Sequence, residues 1–309
     1  MNNLNFSYCG IDVSKDNLDT KCRNNVNRYD NTIKGIKKLA KENPKAHYIL
    51  ESTGGYERLA AWTLMSDGHK VSIVNPKRVR DFASAMSILA KTDKLDADVI
   101  VRYAEVAQPR ETPLPSEEYR YFVAIMDRRY QLMKMKIAEG NRLCTCTDLE
   151  MKKCIKETIQ YFNERIKRLE KEISSLINND KEMNVKSNVM QRMKGIGIIS
   201  VAHILAYLPE IGTLNKKEVA ALLGAAPFNR DSGHKSKRRC IYGGRKKLRS
   251  GLYMATVSAT THNQHLREFY YHLRNDNNCK EKVARIAVMR KMLIAVNSLM
   301  KNADFELVS

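Results

Sequence analysis

The sequence predicts an α/β domain followed by a mainly helical remainder. Up to about residue 110, short apolar runs of strand length alternate with amphipathic helical stretches, the pattern of a sheet with helices packed on it. Pro109, Pro113 and Pro115 then forbid a continuous helix or central strand. From Ser116 there is no proline until Pro209, and Gly140 is the only glycine before Gly195, so long helices follow. Three regions are expected: residues 1–115, a coiled-coil or helical region at 116–185, and a mainly helical domain at 186–309.

In the first region, residues 8–13, 47–51 and 71–74 are apolar runs that predict buried strands, and residues 33–41 and 56–66 predict helices between them. Residues 91–98 open into a helical pattern at 99–106. In the second region Ile155, Ile159, Phe162, Ile166, Leu169, Ile173 and Leu176 recur at alternating spacings of four and three. That is the seam of a coiled coil over about three heptads. It serves packing within the chain or pairing between chains, and the period does not choose. The third region begins at Lys194-Gly-Ile-Gly197, a glycine turn before an apolar helix. The amides of such a turn can hold a phosphate, although the pattern more often serves packing.

Charge narrows the partner. Fifty-four Lys and Arg against 34 Asp and Glu give a formal charge of +20, which favours nucleic acid. The longest apolar stretch, residues 196–208, is broken by Ser200 and His203 and is too short to span a bilayer. Asn2, Asn3 and Asn5 stand where a signal peptide needs an apolar core, so a cytoplasmic protein is expected, with no membrane partner. Seven cysteines without regular spacing suggest a reduced compartment, and Cys144-Thr-Cys146 lacks partners at zinc-site spacing.

Four carboxylates carry the chemistry. Asp12 lies in the first strand-like run, Glu51 ends the second, and Asp93 and Asp96 are three apart at a helix start, hence on one face. Gathered in one cleft, they cannot all stay ionised unless cations neutralise them. Oxygen-only ligands select a hard ion, Mg²⁺ (or Mn²⁺), and two ions roughly 4 Å apart clamp the attacking and leaving oxygens of a phosphate. Asp16, Asp19, Asp67 and Asp98 read as solvated surface groups; Asp98 should point away from the Asp93/Asp96 pair.

Residues 232–267 carry nine Lys and Arg and no acid. Lys235, Lys237, Arg238, Arg239, Arg245, Lys246, Lys247 and Arg249 crowd around Gly243-Gly244, a one-sided run that suits phosphate contact. Ser232 opens the run. A turn serine is by default a helix cap, but guanidinium groups and a nearby metal would make its hydroxyl a competent nucleophile; Ser236 is its rival.

At these residues the chain resembles a known family. Gly10-Ile-Asp-Val-Ser-Lys15, Glu51-Ser-Thr-Gly-Gly-Tyr56, Asn75-Pro76 before a basic helix, and Lys91-Thr-Asp-Lys-Leu-Asp-Ala97 are similar to the N-terminal domain of DEDD-type insertion-sequence transposases, which include pilin-gene invertases and bridge-RNA-guided recombinases. Gly195-Ile-Gly197, Leu208-Pro-Glu-Ile-Gly212, Leu223-Gly-Ala-Ala-Pro227, Ser232-Gly233 and Ala287-Val-Met-Arg-Lys-Met-Leu293 extend the likeness over nearly the whole chain.

The resemblance implies a RuvC-like, ribonuclease-H-type domain at 1–115 with Asp12, Glu51, Asp93 and Asp96 as its metal-binding tetrad. It also implies coiled-coil helices at 116–185 and a transposase domain at 186–309 whose Ser232 attacks DNA covalently. Asp231 departs from the family, standing where a second serine often precedes the nucleophile. The implied partners are double-stranded DNA, a structured guide RNA and further copies of the chain in a dimer or tetramer, in a bacterial or archaeal cytoplasm at the nucleoid. Two other classes compete: a metal-dependent nuclease of the Holliday-junction-resolvase kind, which would use the tetrad and water, and a non-catalytic nucleic-acid-binding protein.

Overall fold

The computed structural model describes residues 7–87, 93–228 and 240–308. Two compact units divide the chain, Met1–Pro115 and Ser116–Ser309.

The first unit is mixed α/β. Strands β1 (Ser7–Val13), β2 (Asn17–Cys22) and β3 (Asn25–Asp30) form an antiparallel meander; helix α1 (Ile33–Glu42), β4 (Ala46–Glu51), α2 (Glu57–Ser66), β5 (Lys70–Val74), α3 (Pro76–Ala85) and α4 (Asp93–Ala107) follow. The five strands lie in the order β3-β2-β1-β4-β5, with β1-β4 and β4-β5 parallel.

The three strands expected from apolar runs are β1, β4 and β5. β2 and β3 were not expected, because Asn17-Leu-Asp-Thr-Lys-Cys22 and Asn25-Val-Asn-Arg-Tyr-Asp30 bury few side chains, Leu18, Thr20, Cys22 and Tyr29. Asp19 is corrected with them. It is not a solvated surface acid but a cross-strand ion-pair partner of Arg28, at 2.8 Å. Cys9 and Cys22 are cross-strand neighbours on β1 and β2 and are joined as a disulfide, so the cysteines are not all thiols.

Side chains alternate across this sheet, and the two faces have separate cores. Ile11 and Val13 of β1 and Leu50 of β4 pack with Ile36, Leu39 and Leu64 of α1 and α2. On the other face Ile49 packs with Val79 of α3 and with Val99, Ile100 and Tyr103 of α4.

The second unit is almost wholly helical. α5 (Glu117–Thr145) and α6 (Leu149–Asn179) form a long hairpin, followed by α7 (Lys181–Gln191), α8 (Ile198–Tyr207) and α9 (Lys216–Leu223). A two-stranded ribbon, β6 (Pro227–Phe228) and β7 (Cys240–Ile241), leads to α10 (Lys246–His262), α11 (Gln264–Asn275) and α12 (Glu281–Val308). Ser116 and Asp148 cap α5 and α6, each accepting a bond from a first-turn amide.

The heptad seam turns toward α5: Ile166 and Ile173 are buried, while Ile155, Ile159 and Phe162 nearer the hairpin tip are half-buried. At the base one core takes in Phe122, Met126 and Ile173 together with Val201 and Leu205 of α8, Leu252 of α10 and Leu293 of α12. Among the described residues no helix is long and apolar enough to cross a membrane.

Candidate functional site

In the first unit, Asp12 and Glu51 extend the register of β1 and β4. Ile11 pairs with Leu50, so the next residues on these parallel strands are Asp12 and Glu51, on the sheet face opposite Ile11 and Leu50. That face carries α4, whose approach is set at Gly10. A Cβ there would overlap the Ala97 carbonyl, so only glycine lets α4 lie this close to β1. Asp96, adjacent to Ala97, is thereby brought to the two strand carboxylates.

The electrostatics register the meeting. Glu51 is pushed up to about 7 by burial and by the charges of Asp12 and Asp96, against a smaller opposing effect of Arg80. Three carboxylates from three elements thus repel one another in a half-buried place. The side chain of Asp93 lies outside the described residues, although its backbone opens α4. Among the described residues no three acids, histidines or cysteines stand in a ready-made metal cage. The donor set still fits a hard divalent ion, since all its donors are carboxylate oxygens whose mutual repulsion a cation would relieve. Asp98 is turned to Arg102, at 2.8 Å along the helix.

Two neighbours escaped the sequence reading. Arg80 on α3 supplies positive charge beside the acids; the basic helix after Asn75-Pro76 was its signal. Glu57 is buried and accepts bonds from Thr53 N (3.1 Å), Thr53 Oγ1 (3.0 Å) and Gly55 N (2.8 Å), fixing the loop that leaves Glu51. Nothing in its spacing distinguished it from a surface acid at a helix start.

In the second unit, Ser232, Ser236, Lys235, Lys237, Arg238 and Arg239 lie outside the described residues. The flanks of that segment are held: β6 pairs with β7, and Arg249 donates to the carbonyls of Leu223 and Gly243, both at 2.9 Å. Arg245 makes two 2.6 Å bonds to Glu210 and one of 3.0 Å to the Tyr207 carbonyl. Burial alone would raise Glu210, but the Arg245 bonds outweigh it and hold the carboxyl below its usual range. Lys247 reaches Asp127 at 2.5 Å, beside the Tyr207 hydroxyl on the same oxygen at 2.8 Å. Three described members of the basic run are therefore engaged within the fold, while Lys246 lines a cavity against α5 and α8.

Residues 5–151 match a family model of DEDD type described as a transposase, and residues 187–271 match one described as transposase of the IS116/IS110/IS902 family. Two curated relatives, the pilin gene-inverting proteins of Moraxella lacunata and Moraxella bovis, are each 28% identical over 320 residues, covering 98% of this chain and 98% of theirs.

Proposed function

This chain belongs to the IS116/IS110/IS902 transposase family and is a DNA recombinase, and from that premise we propose that it cuts and rejoins DNA through a serine-linked intermediate with divalent-metal assistance, moving its own mobile element. The observation that carries the reading is the meeting of Asp12, Glu51 and Asp96 on one sheet face, from β1, β4 and α4. A five-stranded sheet with three antiparallel and then two parallel strands, bearing acids at its centre, suits a ribonuclease-H-type, RuvC-like domain at residues 1–115. Residues 116–185 are the helical insertion and 186–309 the serine-bearing domain.

Asp12, Glu51, Asp93 and Asp96 would hold Mg²⁺ or Mn²⁺. Bound there, the ions neutralise phosphate charge and polarise its oxygens. Ser232 Oγ loses its proton and bonds to phosphorus as the bond from phosphorus to one sugar oxygen breaks; that oxygen departs as a hydroxyl, taking up a proton. A hydroxyl of a second DNA end then reverses the step and frees the serine. One ester is exchanged for another, so no ATP is needed, and the chain has no Gly-x-x-x-x-Gly-Lys-Ser/Thr sequence. The run from Lys235 to Arg249 holds backbone phosphates, with Arg245, Lys247 and Arg249 shaping its base. A guide RNA selects the sites by pairing, and a dimer or tetramer holds the two DNA partners.

Suicide DNA tests the reading. Wild-type protein and Ser236→Ala form a covalent protein-DNA adduct, and Ser232→Ala binds DNA but forms none. An adduct in Ser232→Ala moves the nucleophile elsewhere. Cleavage without any adduct in the wild type makes the protein a water-using nuclease.

A further inference from the structure

In the second unit a cavity of about 710 Å³ opens between α5, α8 and α10. Arg129, Lys134 and Lys246 line it together with Ser200, Ser250 and Ser258, and among the described residues that line it there is no acid. Its apolar lining is Tyr130, Met133, Ile137 and Met254, of which Ile137 and Met254 are exposed, and Lys134 Nζ lies 5.2 Å from the centre of the Tyr130 ring. The volume is that of a small-molecule site, with room for a nucleotide unit and none for a duplex.

Helix α8 starts at this cavity. Its N-cap, Gly197, offers no side chain to the first-turn amides, and a Cβ there would meet nothing within 4 Å, so the ground before the helix end is open. Ser200 and Val201 return their N–H groups to the Gly197 carbonyl, which leaves Ile198 and Ile199 with the orphan amides of a helix start. A second hollow, of about 690 Å³, adjoins Ile198 and Ile199 and carries Lys167 and Lys171. Lys134 and Lys246 on one side, and Lys167 and Lys171 with Glu170 between them on the other, thus flank the helix end.

His203 packs the Nδ1 edge of its ring against Gly251 of α10, where a Cβ would lie 2.2 Å from Nδ1. It lines the cavity, is 3% exposed, and its Nδ1 has no hydrogen-bond partner among the described residues. Arg129, anchored by Glu170 at 2.6 Å, places Nη1 3.4 Å from His203 Nε2. A guanidinium can only donate, so Nε2 accepts and Nδ1 of the neutral ring carries the proton. What this buried group lacks is an acceptor.

We infer that this cavity seats the sugar-phosphate of an unpaired nucleic-acid strand, its phosphate oxygens taking the Lys134 and Lys246 ammonium groups and the α8 amides, with the attached base on the Tyr130 and Met254 wall. Bases stack on any flat or soft apolar surface, so such a seat holds a strand without reading its sequence. The inference rests on the chain's being a nucleic-acid recombinase, and not on Ser232 or the acidic tetrad.

The test uses the full chain and the anisotropy of fluorescein-labelled single-stranded DNA, single-stranded RNA and duplex DNA across a salt series. Lys134→Ala combined with Lys246→Ala weakens single-strand binding about tenfold or more and flattens its salt slope by about 1.4, two contacts at about 0.7 each. Met254→Glu, which sets a like charge beside the phosphate at an exposed position, weakens it too. Lys153→Ala with Lys186→Ala, at ion-paired positions outside both hollows, leaves it intact. Single strands carrying 5-iodouracil crosslink to peptides from residues 129–137 or 246–258. Loss confined to the RNA probe or to the DNA probe supports the site and names its source. An unchanged salt slope, equal loss with duplex, or crosslinks only elsewhere overturns it. Adduct formation by wild-type protein alongside an unchanged slope would discard the cavity and leave the serine reading standing.

Discussion

Asp12 and Glu51 are the next residues after the paired Ile11 and Leu50 on neighbouring parallel strands, so their carboxylates share one face of the sheet. Their repulsion, joined by that of Asp96, is one reason Glu51 holds its proton up to about 7. Glu51→Gln removes one charge from that group. Its melting temperature in chelator at pH 8 should exceed the wild type's, and its gain on adding Mg²⁺ or Mn²⁺ should shrink, with recombination abolished. A lower melting temperature in chelator together with a full metal-induced gain would show that Glu51 is not a ligand. Asp93→Asn should lose recombination likewise, and normal activity would remove Asp93 from the set.

Lys246 and Lys247 are adjacent in sequence and should behave oppositely. Lys247→Ala removes the ammonium that lies 2.5 Å from the Asp127 carboxylate, whose side chain is 15% exposed, and should cost about 1–3 kcal/mol of stability. Lys246→Ala should leave the urea midpoint unchanged and flatten the salt slope of single-strand binding by about 0.7. Equal midpoints for both variants would show that the Lys247 pair adds nothing to the fold.

His203 should make the second unit sensitive to mild acid. Burial, and secondarily the Arg129 charge, lower its pKa to about 4, well under the unfolded value of about 6.5. The unfolded chain therefore takes up the proton first. The contribution is complete above pH 6.5 and is lost as pH falls from there toward 4, by on the order of 3 kcal/mol in all. His203→Gln should flatten the urea midpoint between pH 7 and 4.5 relative to wild type; parallel profiles would mean that the ring titrates normally.

Ile166 is buried on the α6 face that meets α5, so Ile166→Asp should lower stability by roughly 3–5 kcal/mol. The same loss at low and high protein concentration assigns the seam to packing within the chain. A loss that grows on dilution assigns it to pairing between copies.

What the sequence by itself determined was set by local pattern. Apolar runs gave β1, β4 and β5, the prolines at 109, 113 and 115 marked the change of composition, and period and glycine scarcity gave the long helices. The positions of Asp12 and Glu51 at strand sites were legible because an acid inside an apolar run is rare enough to notice. β2 and β3 were not legible, since their buried side chains, Leu18, Thr20, Cys22 and Tyr29, stand singly among polar residues and write no apolar run. Tertiary structure alone decided that Gly10 admits α4 and so brings Asp96 to the strands, and that Arg80 stands by. It also decided which cations of the basic run serve the fold, because Glu210 and Asp127 lie 35 and 120 residues from Arg245 and Lys247. A run of like charge fixes the sign of the field; only the chain's path fixes which charges find a partner before any ligand arrives.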